Sequence, residues 1–175
     1  MIKSTRLKLV PVDYKYSDDL LEIWNDYEVI KYTYLNLLQS KKECNERIDM
    51  LINNTDLKFP DNFVVLLEGK AIGVAGYPIR KRDDFECGFY YHYGRNYWGN
   101  GYASEVANAL KENIFSKYPN ATIYAEAISV NLASIKILKN VGFYQTYIEE
   151  KGFQNNGMIL DLLHFKLNSE FLLKT

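Results

Sequence analysis

Two glycines one residue apart, Gly99 and Gly101, separate an aromatic run from a helical pattern, and that junction limits what the chain can fold into. Upstream, Tyr90-Tyr91-His92-Tyr93 reads as a strand. Downstream, Ala103, Val106, Ala107, Leu110 and Ile114 fall on one helical stripe. A strand, a glycine turn and a helix start together make an anion cradle. The first-turn N–H groups have no intrahelical acceptor, and the helix dipole adds roughly half a positive charge there. Glycine allows backbone and ligand to approach closely. The stretch reads either as the site of a ligand carrying a pyrophosphate or as a plain tight strand-to-helix turn.

What is missing narrows the ligand. A dinucleotide fold wants a third small residue, here Ser104, and an acid ~20 residues on to hold a ribose hydroxyl. Nothing acidic stands near Asn120 or Ala121, and a Walker-type lysine is absent. Coenzyme A is the common reading that remains.

A length of 175 residues suits one domain with a real core, and 47% apolar with 25% charged residues is ordinary globular composition. A formal net charge of −1 argues against general nucleic-acid binding. No apolar run approaches the ~20 residues of a membrane span. Met1-Ile2-Lys3-Ser4 has no leader pattern, so the expected compartment is the cytoplasm. Cys44 and Cys87, with His92 and His164, have no metal-ligand spacing, so no metal is expected.

Along the chain, Arg6 to Val12 reads as a strand and Ser17-Asp18-Asp19 as a helix start. Ser40 and Glu43 have capping-box spacing ahead of Cys44, Ile48, Leu51 and Ile52. Val29 to Leu38 has no period and reads as a loop or short helix bordering a pocket. A three-stranded meander is expected: Asn62 to Leu67, Ala71 to Ile79 and Phe85 to Tyr93. Its first turn is Glu68-Gly69-Lys70, and Gly73 and Gly76 mark a bulge or close approach. Thr122 to Ile128 is the next strand. Asn131 caps a helix over Leu132 to Val141 that Gly142 closes. Phe143 to Ile148 and Met158 to Leu167 form a last pair around a polar loop, Gly152 to Gly157. The crossover helix makes Phe85–Tyr93 parallel to Thr122–Ile128.

Asn96-Tyr97-Trp98-Gly99-Asn100-Gly101-Tyr102-Ala103-Ser104-Glu105 resembles the acyl-CoA signature of GNAT-type N-acetyltransferases, in the branch with the ribosomal-protein alanine acetyltransferases. Asn131 to Phe143 is similar to that family's second signature, Asn-x-x-Ser with Gly-Phe closing the helix. Asn156-Gly157 followed by Asp161 also fits the branch. The resemblance implies one GNAT domain over residues 1–175, an α+β, three-layer α/β/α fold. Its sheet would be mostly antiparallel, with one splayed parallel strand pair. It also implies acetyl-CoA as co-substrate. Backbone N–H groups from Gly99 through Asn100, Gly101 and Tyr102 to Ala103 would hold the pyrophosphate, beside Trp98. The strand ending at His92 and Tyr93 would splay to receive the pantetheine, and Asn131 and Ser134 would flank the thioester. The family's usual Gln or Arg three residues before the first glycine is Asn96 here, with Arg95 one place earlier.

The implied reaction moves acetyl to a primary amine in one ternary complex. An alkylamine with pKa ~10.4 must first lose a proton, and a carboxylate can take it. Glu86 is the first candidate, two residues further from the loop than the family's usual spacing. Its alternative is a surface carboxylate at a strand edge; Glu126, on a face with Tyr124, is the rival base, and Asp161 is the third candidate or else a hydrogen-bonded structural acid. The family's tyrosine acid falls on Leu138, leaving Ser134 as the expected donor to the departing thiol, or else a first-turn helix residue. His92 is expected to pack or touch cofactor. The acceptor is a protein N-terminus or a small amine, the assembly a monomer or homodimer, and no nucleic acid or membrane is involved. The competing reading is a coenzyme A-binding module without catalysis.

Overall fold

The computed structural model describes residues 1–54, 61–155 and 157–169. In chain order it runs β1 (Ile2–Lys3), β2 (Leu7–Pro11), α1 (Ser17–Trp24), α2 (Tyr27–Ile30), α3 (Lys41–Asn53), β3 (Asn62–Leu67), β4 (Lys70–Gly76), β5 (Ile79–Lys81), β6 (Glu86–Cys87), β7 (Tyr90–Tyr93), α4 (Tyr102–Lys117), β8 (Thr122–Ile128), α5 (Leu132–Val141), β9 (Tyr144–Asn155) and β10 (Met158–Asn168). Local chemistry sets many of these bounds. Ser40 and Glu43 make both bonds of a capping box at α3. Asn131 caps α5, and Gly142, at φ 107°, ends it. Glu68 and Gly69 both take positive φ, the two-residue turn that matches strand twist in a hairpin.

The strands form two five-stranded sheets, ordered β1-β2-β3-β4-β7 and β5-β6-β8-β10-β9. On the first sheet, alternation sends Leu7, Leu9, Phe63, Val65 and Ile72 to one face, where they pack with Val106, Leu110 and Ile114 of α4 and Leu138 of α5. Val64, Leu66 and Val74 face the other way, against Leu20, Trp24, Cys44 and Ile48 of α1 and α3. Helices therefore cover both faces, the three-layer arrangement expected. Among the described residues no helix is long and apolar enough to cross a membrane.

Three strand expectations are corrected. Ala71–Ile79 is not one strand: β4 stops at Gly76, and after Pro78, which has no N–H to give a ladder, the chain passes to the second sheet as β5. Phe85–Tyr93 divides at Gly88-Phe89, where the Gly88 N–H donates to Pro78 O, so β6 joins the second sheet and β7 the first. Gly152–Gly157 is not mainly a loop, because β9 continues to Asn155 as partner to β10; Asn156 lies outside the described residues. As an edge strand β9 tolerates polar residues such as Glu149, Glu150 and Gln154.

Gly73 shows how tightly β4 and β7 approach. A Cβ there would lie 2.5 Å from both His92 O and the Tyr93 ring. Gly73→Ala is expected to cost about 3 kcal/mol by overpacking, lowering Tm by roughly 5–10 °C. Thermal unfolding followed by circular dichroism checks this, and an unshifted Tm would contradict so close an approach.

Candidate active site

The division of Phe85–Tyr93 opens the site. β6 and β8 pair in parallel at Glu86–Thr122 and Cys87–Ile123. Beyond that point β7 follows β4 and β8 follows β10. Gly94 N–H donates to Ile72 O, and the Trp98 indole N–H to Tyr93 O at 2.8 Å. Main-chain groups alternate direction along a strand, so those of His92 face β4 and those of Tyr91 and Tyr93 face the gap. On β8, the Ser129 N–H bonds Asp161 O, which turns Ala127 toward β10 and leaves Glu126 and Ile128 open to the gap. A cavity of about 900 Å³ occupies this cleft and runs from Gly99, Gly101 and Ala103 to Trp24 and Arg47.

At the glycine end the residues fit a diphosphate. Gly99 and Gly101 have φ of 77° and 78°, and a Cβ on Gly99 would meet nothing within 4 Å. No side chain caps α4, whose N-cap is Gly101, so its first N–H groups stay available to a ligand. The turn is braced from behind. Glu105 accepts hydrogen bonds from Ser4 Oγ, Arg6 N and Arg6 Nε, each 2.7 Å, and Arg6 Nη2 bonds Asn100 O. Burial opposes ionisation of Glu105, but these donors outweigh it and hold the carboxyl below its usual range. Asn100 turns its amide back to Tyr97 O and Trp98 O, and Arg6 covers the Tyr102 ring. Arg95 pairs with Asp26 at 3.0 Å, directed to α2 rather than to the glycine turn.

In the middle of the cleft, Asn131 Oδ1 accepts the Ser134 N–H, and Ser134 Oγ lies 3.1 Å from Tyr91 Oη. Burial pushes Tyr91 up to about 12, with the Ser134 contact opposing, so it remains a neutral donor at pH 7. From the sequence, Tyr91 is one of several tyrosines (with Tyr90, Tyr93 and Tyr97) that read as strand-face packing, some of them lining the acceptor pocket. It puts a phenol beside Ser134 although the helix position seven residues after Asn131 is Leu138, which is buried.

The far half is walled by α1, α2 and the segment after it. The Trp24 indole N–H donates to His92 Nε2 at 2.6 Å. Burial, helped by the Arg47 charge, pushes His92 down to about 4, so the ring is neutral and accepting at pH 7. His92 shares a strand face with Tyr90 and stacks against its ring, while its hydrogen-bond partner is Trp24 of α1. Tyr32, Thr33 and Tyr34 line this half, as the aperiodic Val29–Leu38 stretch suggested.

The three carboxylates separate by place. Glu126 lines the cavity, its carboxylate 4.0 Å from Arg80 and 3.6 Å from His164 Nδ1. The Tyr34 phenol is raised by burial and then by the charges of Glu126 and Glu149, which places it in their field. Glu86 is not among the residues lining the cavity; it stands opposite Lys81 and Thr122, at the opposite end of β8 from the gap. Asp161 Oδ1 accepts the N–H of Lys151, a residue at φ 55° beside the β9–β10 irregularity, which is a structural bond. His164 bridges Glu126 and Glu149 and stacks on Tyr147.

A family model described as an acetyltransferase (GNAT) domain matches residues 6–144. The chain is 27% identical over 165 residues, 93% of its length and 92% of the relative's, to an uncharacterized N-acetyltransferase, p20, of Bacillus licheniformis. Among solved structures it resembles the ribosomal α-N-protein acetyltransferase RimL in complex with coenzyme A, with TM-score 0.84, 15% identity and coverage of 94% and 95% of the two chains. It also resembles spermidine N-acetyltransferase from Vibrio cholerae in complex with coenzyme A and spermine, with TM-score 0.82, 18% identity and coverage of 96% and 99%. At such identities the two structures speak for the fold.

Proposed function

The chain belongs to the GNAT acetyltransferase family, and from that premise we propose that it transfers acetyl from acetyl-CoA directly to a primary amine, within one domain and one ternary complex. The observation that carries the reading is the continuous cleft from the uncapped α4 N-terminus, past the Tyr91–Ser134 hydroxyl pair, to the Trp24–His92 wall. Structural relatives that hold coenzyme A, one of them with spermine, support the same co-substrate and an amine acceptor. A cytoplasmic location fits a reaction drawing on acetyl-CoA.

When bound, acetyl-CoA supplies the activated thioester. Main-chain N–H groups at Gly99 to Ala103 hold the diphosphate, with Trp98 fixed beside them. Free main-chain groups of Tyr91 and Glu126 pair with the pantetheine amides. Glu126 takes the proton from the acceptor ammonium, so that a neutral nitrogen can attack. Ser134 Oγ donates a hydrogen bond to the departing sulfur and Tyr91 orients Ser134, which answers the missing tyrosine at Leu138. Holding both reactants in one cleft supplies much of the acceleration.

Thiol release from acetyl-CoA, measured beside mass-spectrometric detection of the acetylated amine, tests this. The expected result is equal amounts of both with at least one amine of a broad panel. Tight acetyl-CoA binding with no acetylated product from any amine would leave only a binding module.

A further inference from the structure

The acceptor half of the cleft contains a buried cation that, among the described residues, forms no ion pair. Arg47 is 8% exposed and lines the cavity with Trp24, Leu35 and Leu51. Its Nη2 donates to Asn36 O at 2.7 Å, while Nη1 is buried without a hydrogen-bond partner. The guanidinium lies over the Trp24 ring at 5.1 Å, which offers a π-face but no acceptor atom. Among the described residues no carboxylate forms an ion pair with it. The acids on its side of the molecule are otherwise engaged. Glu28 pairs with Lys31 at 2.5 Å and Asp26 with Arg95. Glu43, one helical turn before it, acts on Arg47 by its charge but forms no ion pair with it, its carboxylate closing the α3 capping box. His92, the titratable group facing it from β7, carries no charge at pH 7.

A buried guanidinium does not deprotonate, and leaving one unpaired is costly unless something else supplies the balancing charge. Trp24, Leu35 and Leu51 line the cavity with it, and Lys31 in the same half is already balanced by Glu28, so one positive charge is left to be met by one negative charge. A carboxylate meets that description. A phosphate dianion would leave excess charge among apolar side chains.

We infer that the acceptor is a small molecule carrying a carboxylate together with its primary amine, an amino-acid-type substrate, with Arg47 as the counter-charge for the carboxylate. This rests on the transferase reading and sharpens it. A polyamine would bring further positive charge to Arg47, and a protein N-terminus has no carboxylate beside its amine.

The test compares each standard amino acid with its own carboxamide, and with spermidine, as acceptors for the wild-type protein and for Arg47→Met. Wild type should favour at least one free acid over its amide by roughly 10- to 100-fold in KM, the range for a charge-assisted contact. Arg47→Met should erase that preference while keeping acetyl-CoA affinity. A second readout needs no turnover. The matching N-acetyl amino acid, as acid but not as amide, should raise the Tm of wild type and not of Arg47→Met. Equal use of acid and amide, a preference for spermidine, or a preference that survives Arg47→Met overturns the inference and leaves the transferase intact. Absent turnover with an Arg47-dependent Tm rise overturns the transferase and leaves the carboxylate site. Absence of the Tm rise in wild type removes the site.

Discussion

Glu126→Gln should lower kcat by about 10²–10⁴ at neutral pH, the usual worth of a positioned general base, while Glu86→Gln stays within about twofold of wild type. The difference follows from where β8 carries each group. Glu126 faces the cleft in the segment where β7 and β8 have parted, near Tyr34 and within reach of Arg80 and His164. Glu86 stands at the paired end beside Thr122. Glutamine keeps the size and hydrogen-bonding shape of Glu126 but cannot accept the proton. The variant must then wait for amine already deprotonated in solution, so its rate should climb about tenfold per pH unit below the amine's own pKa. KM for acetyl-CoA should barely move. Steady-state rates across pH check this; full activity in Glu126→Gln, or a collapse in Glu86→Gln instead, would return the base to β6.

The second large effect is on coenzyme A. Gly101→Val should weaken its binding by about 100-fold or more. Gly101 sits at φ 78° as the N-cap of α4, a conformation that is a genuine outlier for a β-branched residue and costs on the order of 1–3 kcal/mol. Relief of that strain would turn the peptide and misdirect the N–H groups of Tyr102 and Ala103. The added Cβ would also come within 3.7 Å of Arg6 Nη2, which braces the turn through Asn100 O. Isothermal calorimetry with coenzyme A gives the affinity, and far-ultraviolet circular dichroism shows whether α4 still forms. Unchanged affinity in a folded variant would remove the cradle assignment.

Features governed by neighbouring residues could be read from the sequence, and features governed by distant ones could not. The Ser40–Glu43 box, the Asn131 and Gly142 caps and the Gly99–Gly101 turn are each decided within a few residues. The break at Pro78 and Gly88 is different. Each half still alternates as a strand should, and only the choice of partner, β4 or β8, divides them. For that reason the sequence does not show that Glu86 stands at the paired end of β8, opposite Thr122. Tyr91 was hidden among other tyrosines, because alternation tells faces apart but not which main-chain edge stays unpaired. Arg47 did leave a trace: it falls three residues after Cys44 and next to Ile48, a cation on an apolar helical stripe. Trp24 is fully buried, yet its indole N–H also serves His92.

The brace behind the glycine turn joins residues far apart in the chain, since Arg6 and Glu105 are separated by 99 positions. The opposite rim is more remote still: Asn155 reaches back 122 positions to Thr33 O. Closing loops of that length comes late and makes folding slow. During synthesis the Ser4 and Arg6 bonds to Glu105 must therefore wait until α4 has emerged, and the rim beside Thr33 until β9 has followed. A nascent chain cannot assemble either end of the cleft early, so a ribosome-bound fragment ending before β9 would carry half a vestibule and no floor for an acceptor.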